Sequence, residues 1–201
     1  WDRGINAFDS AIGWNDCTND GGAACPSIDW QFAADAERGD VLEVSHSQDG
    51  SPAGLFIATS SSVNLSDYAK GSLVFDIKVL SGDSRITIKL DCVWPCTSGE
   101  LSLGSRGAAG WETVEVALSS LVSGGLDLAK VSTGLVIWAT QATGTTFLID
   151  NVRFTGIAEG ASLPNQTDDP GDYEITAYGA GTISDTINPA GYRCVFDFGD
   201  W

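Results

Sequence analysis

The residues best placed for chemistry are two cysteines, Cys92 and Cys96, which enclose Val93, Trp94 and Pro95. A redox pair needs a Cys-x-x-Cys spacing at the start of a helix, where the helix dipole lowers the pKa of one thiol. Here the pair ends a strand-like run in an acidic chain. Both features raise the pKa of a thiol instead of lowering it. The favoured interpretation is a disulfide that stiffens the loop around the tryptophan.

The other cysteines do not have the spacing of a metal site. Cys17 and Cys25 form a second close pair, Cys194 stands alone, and His46 is the only histidine. A zinc finger or ribbon requires four Cys or His ligands at other spacings. We therefore predict that both close pairs are disulfides, which are typical of a secreted, extracellular protein. Cys194 would then find its partner on another chain or beyond residue 201.

The sequence offers little support for a catalytic site. The chain has no Gly-x-Ser-x-Gly elbow and no metal-binding pair of histidines. Its 27 acidic residues must include a close carboxylate pair, but glycoside hydrolysis also needs a deep cleft, for which a single sandwich leaves little chain. The net charge of −17 repels nucleic acids and anionic membranes. We predict a non-catalytic protein with no nucleic-acid or membrane partner, which leaves neutral ligands, cations and other proteins as possible partners.

Apolar and polar residues alternate from about residue 41 to 156, and no helical stripe of ten residues interrupts them. This alternation predicts eight strands separated by turn-forming clusters. They are Val41–Ser47, Ala53–Thr59, Ser72–Leu80, Ile86–Val93, Glu100–Gly104, Glu112–Leu118, Thr133–Thr140 and Thr145–Thr155. Strands at this spacing indicate an all-β domain, an antiparallel β-sandwich with jelly-roll or another Greek-key order. Trp111 opens an inward-alternating strand and is expected in the core.

Two successive predicted strands carry polar residues on one face. These residues are Asp76 and Lys78 in the first strand and Thr87, Lys89 and Asp91 in the second. We expect the two strands to be neighbours, so that the five residues form one hydrogen-bonding outer face next to the paired-cysteine loop.

A ligand for such a face is suggested by the tryptophans. A sugar ring presents a flat patch of C–H bonds that packs on an indole, while its hydroxyls need polar side chains at the rim. Trp94, stiffened by Pro95 and the disulfide, would not have to be ordered again on binding. Trp138 has the opposite parity from Leu135 and Ile137 and is the reserve platform. The alternative for Trp94 is a partly buried lid over the sandwich.

The composition divides the chain into three segments. Residues 1–156 are predicted to form the sandwich, and residues 157–172 have the small, polar, Pro-containing composition of a linker. Residues 173–201 are too short to bury a core alone. They pack back on the sandwich as a C-terminal extension, pair with a neighbouring molecule, or begin a following domain.

The order of features from residue 86 to 154 resembles a known family. The features are the segments Ile86–Cys96, Gly110–Leu118, Gly125–Val131 and Phe147–Arg153. Together they resemble the galactose-binding-like β-sandwich at the C-terminus of secreted family 3 exo-β-glucanases, and similar modules of laminarinases and agarases. The resemblance implies a carbohydrate-binding module joined to a glycoside hydrolase catalytic domain in the same polypeptide. A laminarin-type β-1,3-glucan is its first-choice ligand.

A looser resemblance implies calcium. Ala7-Phe8-Asp9 and Gly39-Asp40-Val41 resemble the first two strands of several carbohydrate-binding-module families, in which such acids help to hold a structural calcium ion. Matched position by position, the implied ligands are Asp9, Asp40 and Asp150. The insertion between Trp14 and Trp30 is not part of that pattern.

Two other functions fit the same sequence. The sandwich could be a structural accessory domain that packs on a glycoside hydrolase catalytic domain and binds glycan weakly or not at all. It could also be a subunit of an extracellular assembly, in which residues 173–201 add a strand to a neighbouring molecule and Cys194 bonds across chains.

Overall fold

The computed structural model describes residues 4–10, 15–17 and 25–156, and at residues 15–17 it describes the backbone alone. The predicted linker at 157–172, the extension at 173–201, Trp14 and Cys194 lie outside the described residues. None of the described helices is long and apolar enough to cross a membrane.

The described residues form two antiparallel sheets with short helical turns between strands. The first five strands are β1 (Gly4–Asp9), β2 (Asn15–Cys17), β3 (Ile28–Asp35), β4 (Gly39–His46) and β5 (Ala53–Val63). The other six are β6 (Ser72–Ser81), β7 (Arg85–Cys92), β8 (Leu101–Ser105), β9 (Glu112–Ala117), β10 (Val131–Ala139) and β11 (Thr146–Thr155). The helical turns are Ser66–Tyr68 and Leu128–Lys130, both 3-10, and α1 (Leu118–Ser123). A six-stranded sheet has the order β2-β1-β5-β10-β7-β8, and a five-stranded sheet has the order β3-β4-β11-β6-β9.

The predicted all-β sandwich is confirmed. Each of the eight predicted strands corresponds to one strand from β4 to β11, with ends that differ by up to four residues. The alternation-based set did not include β1, β2 and β3. β3 is an edge strand in which only Ile28 is buried and Phe32 is exposed. Its apolar residues therefore do not indicate which side of the strand faces the core.

The core fills the space between the two sheets. Its fully buried side chains come from alternate positions of both sheets, as the period of two requires. They include Leu73, Phe75 and Ile77 of β6, Ile86, Ile88 and Leu90 of β7, and Phe147 and Ile149 of β11.

The strands β6 and β7 follow one another in the chain but belong to different sheets. β6 lies between β11 and β9, whereas β7 lies between β10 and β8. The chain crosses between the sheets through Gly82, whose φ of 83° falls in the left-handed region that favours glycine. Our expectation that these strands are neighbours with one shared polar face was wrong. Alternation tells which side chains point outward, but it does not tell which sheet a strand joins.

Candidate functional site

A groove crosses the outer face of the six-stranded sheet and has a volume of about 730 Å³. Its walls come from β1, β5, β7 and β10 and from the loop that follows β7. The lining residues are Phe8, Pro52, Ala53, Phe56, Lys89, Asp91, Trp94, Glu100, Thr133, Val136 and Trp138.

The floor of the groove is apolar. Phe56 of β5 lies opposite Val136 of β10, and both are almost fully buried although they point away from the main core. They form a separate cluster with Ala58, against which Phe8 and Trp138 pack. A strand that is apolar on both faces therefore supplies core on one side and the groove floor on the other.

Gly54 allows the ring of Phe8 to lie directly on the floor. In the register of β1 and β5 these two residues are paired. A Cβ atom at position 54 would lie 2.5 Å from Cε1 and 2.7 Å from Cζ of the Phe8 ring. Any larger residue at position 54 would therefore displace the ring from the groove.

Trp94 is the most exposed large apolar side chain among the described residues, with 90% of its surface accessible. It lies in the loop closed by the disulfide between Cys92 and Cys96, and this predicted disulfide is confirmed. The backbone of the loop is also fixed by hydrogen bonds, from Cys92 N to Cys96 O at 3.1 Å and from Val93 N to Lys130 O at 3.0 Å. The alternative of a partly buried lid is wrong, because the indole is open to solvent on an anchored loop.

The second predicted disulfide is only partly described. Cys25 is disulfide-bonded. The side chain of Cys17 lies outside the described residues, so the pairing of these two cysteines stays a prediction.

The polar part of the groove is an ion pair on β7. Lys89 Nζ lies 2.9 Å from one carboxylate oxygen of Asp91 and 3.1 Å from the other. About a third of each side chain is accessible to solvent. The ammonium retains N–H donors and the carboxylate retains lone pairs for a ligand, while the charges of the two groups compensate each other. Such a pair suits neutral hydroxyl groups.

Four of the seven predicted ligand-binding residues line this groove, namely Lys89, Asp91, Trp94 and Trp138. Thr87 lies next to Trp138 in the strand register, but it is buried, and its hydroxyl shares a 2.9 Å hydrogen bond with the Thr140 hydroxyl. Asp76 and Lys78 lie on β6 in the five-stranded sheet. Their assignment to the same face as the other residues was wrong, because β6 and β7 are in opposite sheets.

Asp76 has a structural environment of its own. Its carboxylate accepts hydrogen bonds from the Thr113 hydroxyl at 2.5 Å, from Arg38 Nη1 at 2.7 Å and from Asn151 Nδ2 at 2.9 Å. Burial raises the pKa of Asp76, but these three hydrogen bonds outweigh it and hold the pKa below its ordinary value. The side chain is buried and its acceptors are already used, so it is not offered to a ligand.

Lys78 and Trp111 belong to the same opposite face. Lys78 Nζ binds Asp35 Oδ2 at 3.0 Å, and the Trp111 indole N–H donates to Asp35 Oδ1 at 3.2 Å. The pKa of Asp35 is lowered to about 2, first by the backbone N–H of Glu37 and then by Lys78. The Trp111 ring is half-buried and lies 5.0 Å from the Arg38 guanidinium and 5.7 Å from Lys78 Nζ. The expected core position of Trp111 was wrong.

Seven lining residues were missed by the sequence analysis as ligand contacts: Phe8, Pro52, Ala53, Phe56, Glu100, Thr133 and Val136. A signal for two of them was present. The runs Leu55-Phe56-Ile57 and Leu135-Val136-Ile137-Trp138 are apolar at consecutive positions, which is unusual for an antiparallel strand with one solvated face. Such a run indicates that the outer face is also apolar, as a binding groove requires.

The three predicted calcium ligands do not form one site. No group of three acidic, histidine or cysteine side chains in the described residues is arranged to hold a metal ion. Asp9 is fully buried on β1, accepts a hydrogen bond from the Ser27 N–H at 2.5 Å and interacts electrostatically with His46. Asp40 is exposed and lies at the other end of β4 from His46, roughly 20 Å away along the extended strand. Asp150 contacts Asn151 in β11. The three positions carry the residue type expected of a calcium ligand, but the fold does not bring the three carboxylates together.

Two stacked antiparallel sheets with an aromatic groove on one outer face define a class of architecture, a β-sandwich that presents a candidate ligand-binding surface. The family comparison agrees with this class. Residues 18–154 match the Exop_C family, described as galactose-binding domain-like, and the chain belongs to this family. The predicted resemblance is thus confirmed. No curated protein sequence matches the chain.

Solved structures share the fold at low sequence identity. The extra C-terminal domain of the exo-1,3/1,4-β-glucanase ExoP from a Pseudoalteromonas species is 13% identical, with a TM-score of 0.54 over 80% of this chain and 89% of that domain. The larger ExoP structure matches with the same score and identity, and the match spans 20% of its length. A family 30 carbohydrate-binding module is 18% identical, with a TM-score of 0.50 over 72% of this chain and 82% of the module.

Proposed function

We propose that the groove of the six-stranded sheet binds a neutral β-glucan, with a laminarin-type β-1,3-glucan as the first choice. The observation that carries this proposal is the position of Trp94, whose exposed indole lines the same groove as Trp138 and the ion pair of Lys89 and Asp91. Stacking platforms and hydroxyl-binding groups thus lie together on one surface.

The physical chemistry of the groove suits a sugar chain. The C–H faces of the rings pack on the indole of Trp94 and on the apolar floor around Phe56, which removes water from both surfaces. The ring hydroxyls exchange hydrogen bonds with Lys89 and Asp91 at the side of the groove. Because the whole chain carries a net charge of −17, a neutral polymer is favoured over a polyanionic one.

The choice of a β-glucan and of a host enzyme rests on the relatives. The ExoP structures come from an exo-1,3/1,4-β-glucanase, which supports a β-glucan ligand for this family member. We further propose that the module belongs to a secreted polysaccharide-degrading enzyme and holds the glycoside hydrolase domain of the same polypeptide on its polymer. Because this chain spans 20% of the larger ExoP structure, the activity of the complete protein stays a proposal.

A titration with laminarin, followed by tryptophan fluorescence and by calorimetry, tests the proposal. Trp94→Ala should weaken binding about tenfold or more, because an exposed aromatic anchor is the type of residue that dominates binding energy. The matched control is Trp111→Phe, which changes a tryptophan on the opposite sheet and should leave the affinity unchanged. A wild-type protein that responds to no β-glucan would contradict the proposal and favour the structural accessory domain.

A further inference from the structure

A second depression adjoins the groove on the far side of Trp138. It has a volume of about 760 Å³ and shares Pro52, Ala53 and Trp138 with the groove. Trp138 therefore lies at the boundary between the two depressions. The proposed function uses only the first of them.

The second depression is lined by polar groups suited to hydroxyls. Arg85 lies at the start of β7, and Thr140, Gln141 and Thr143 follow β10. The side chains of Arg85 and Gln141 are exposed, and the side-chain amide of Gln141 forms no hydrogen bond with any described residue. A guanidinium, an amide and hydroxyl groups thus line the same depression as Trp138.

Asp83 holds the Arg85 guanidinium in place. Its carboxylate accepts hydrogen bonds from Arg85 Nε at 3.0 and 3.2 Å, and Arg85 Nη2 lies 2.9 Å from the second oxygen. The backbone N–H of Gln141 binds the same carboxylate at 3.1 Å. The ion pair with Asp83 uses only the Nε and Nη2 edge of the Arg85 guanidinium. Nη1 makes no hydrogen bond with a described residue and remains a donor for a ligand.

We propose that the Arg85 depression is a second sugar subsite, so that the module binds an extended stretch of glucan rather than a single terminal ring. This inference rests on the proposed function of the groove. Arg85 and Asp91 lie near opposite ends of the same strand, which separates them by roughly 20 Å. A chain that contacts both residues passes over Trp138 and spans several rings. Because Asp83 compensates the charge of Arg85, the subsite takes neutral hydroxyls rather than a carboxylate sugar.

Chain-length dependence separates this inference from the proposed function. Calorimetry with a β-1,3-linked glucotriose and heptaose should show tighter binding of the longer chain to the wild type. Arg85→Ala should weaken heptaose binding about tenfold, the usual effect of losing a charged hydrogen-bond donor, and should change triose binding less than about twofold. Gln141→Ala provides a second exposed position with the same expected pattern. Arg153→Ala, which removes an arginine from the opposite sheet, is the matched control.

The outcomes distinguish the two proposals. If Trp94→Ala abolishes the binding of both sugars while Arg85→Ala and Gln141→Ala change neither, the groove binds glucan and the second subsite is refuted. Equal losses for triose and heptaose in Arg85→Ala also refute it, because the residue would then act inside the first groove. If the wild type binds neither sugar, the proposed function fails and this inference fails with it.

Discussion

Removing the disulfide between Cys92 and Cys96 should weaken the fold and, separately, glucan binding. The bridge joins residues with a sequence separation of four. For so short a loop, the loss of chain entropy in the unfolded state stabilises the folded state by roughly 2 kcal/mol. In the double variant Cys92→Ala/Cys96→Ser we therefore expect the free energy of unfolding, measured by urea denaturation, to fall by about 2 kcal/mol.

The effect on binding follows from the residues inside the loop. Without the bridge, Trp94 and its two neighbours are held only by backbone hydrogen bonds, such as that from Val93 N to Lys130 O. Ordering one side chain on association costs about 0.5–1.5 kcal/mol, and regaining part of the backbone freedom of one residue adds up to about 1 kcal/mol. We expect the affinity for laminarin to fall by about 1–2 kcal/mol, or roughly 5- to 30-fold.

A double-mutant cycle shows whether the loss acts through the indole. In a Trp94→Ala background, removing the disulfide should change the affinity by less than about 0.5 kcal/mol, because the group that it orders is gone. The unfolding free energy should fall by the same amount in both backgrounds. An affinity that is unchanged by the double variant, despite the expected loss of stability, would refute the reasoning that the disulfide prepares Trp94 for binding.

Two further predictions concern pH and calcium. Burial lowers the pKa of His46 to about 4 from an ordinary value of 6.5, although Asp9 opposes the shift. The unfolded state therefore binds more protons between these values, and the unfolding free energy should decrease by about 3 kcal/mol as the pH falls from 6.5 to 4. Because His46 is the only histidine, His46→Leu should flatten the slope in this window, and an unaltered slope would contradict the assignment. Calcium remains a prediction, and a chelator should then lower the melting temperature. Since Asp9 and Asp40 lie far apart, Asp9→Asn and Asp40→Asn should not both abolish that shift in melting temperature. A melting temperature that the chelator leaves unchanged would contradict the prediction of bound calcium.

The strands from β4 onward were predictable because their alternation is strong. In β6, Leu73, Phe75 and Ile77 are fully buried, and the intervening positions point outward as the period of two requires. The partner strands were not predictable. Register and sheet membership depend on contacts between residues far apart in sequence, so the pairing of β7 with β10 leaves no local signal.

The candidate site was partly predictable for the same reason. Lys89 and Asp91 could be placed on one face from their spacing, and Trp94 from its position between two cysteines. Phe8 could not be added, because it reaches the groove only through the pairing of β1 with β5 and the absence of a side chain at Gly54. The contribution of each strand to the groove is thus a property of topology rather than of local pattern.

The two outer faces of the sandwich carry similar residue types but differ in how their polar groups are satisfied. On the five-stranded sheet, Asp76 accepts three side-chain hydrogen bonds and the Trp111 ring already contacts two cations, Arg38 and Lys78. A sugar that bound there would have to replace existing interactions and would gain little net free energy. On the six-stranded sheet, Trp94 is 90% exposed and Lys89 is engaged by Asp91 alone among the described residues. A sugar ring adds contacts there without breaking any others, which is why we propose this face rather than the opposite one as the ligand site.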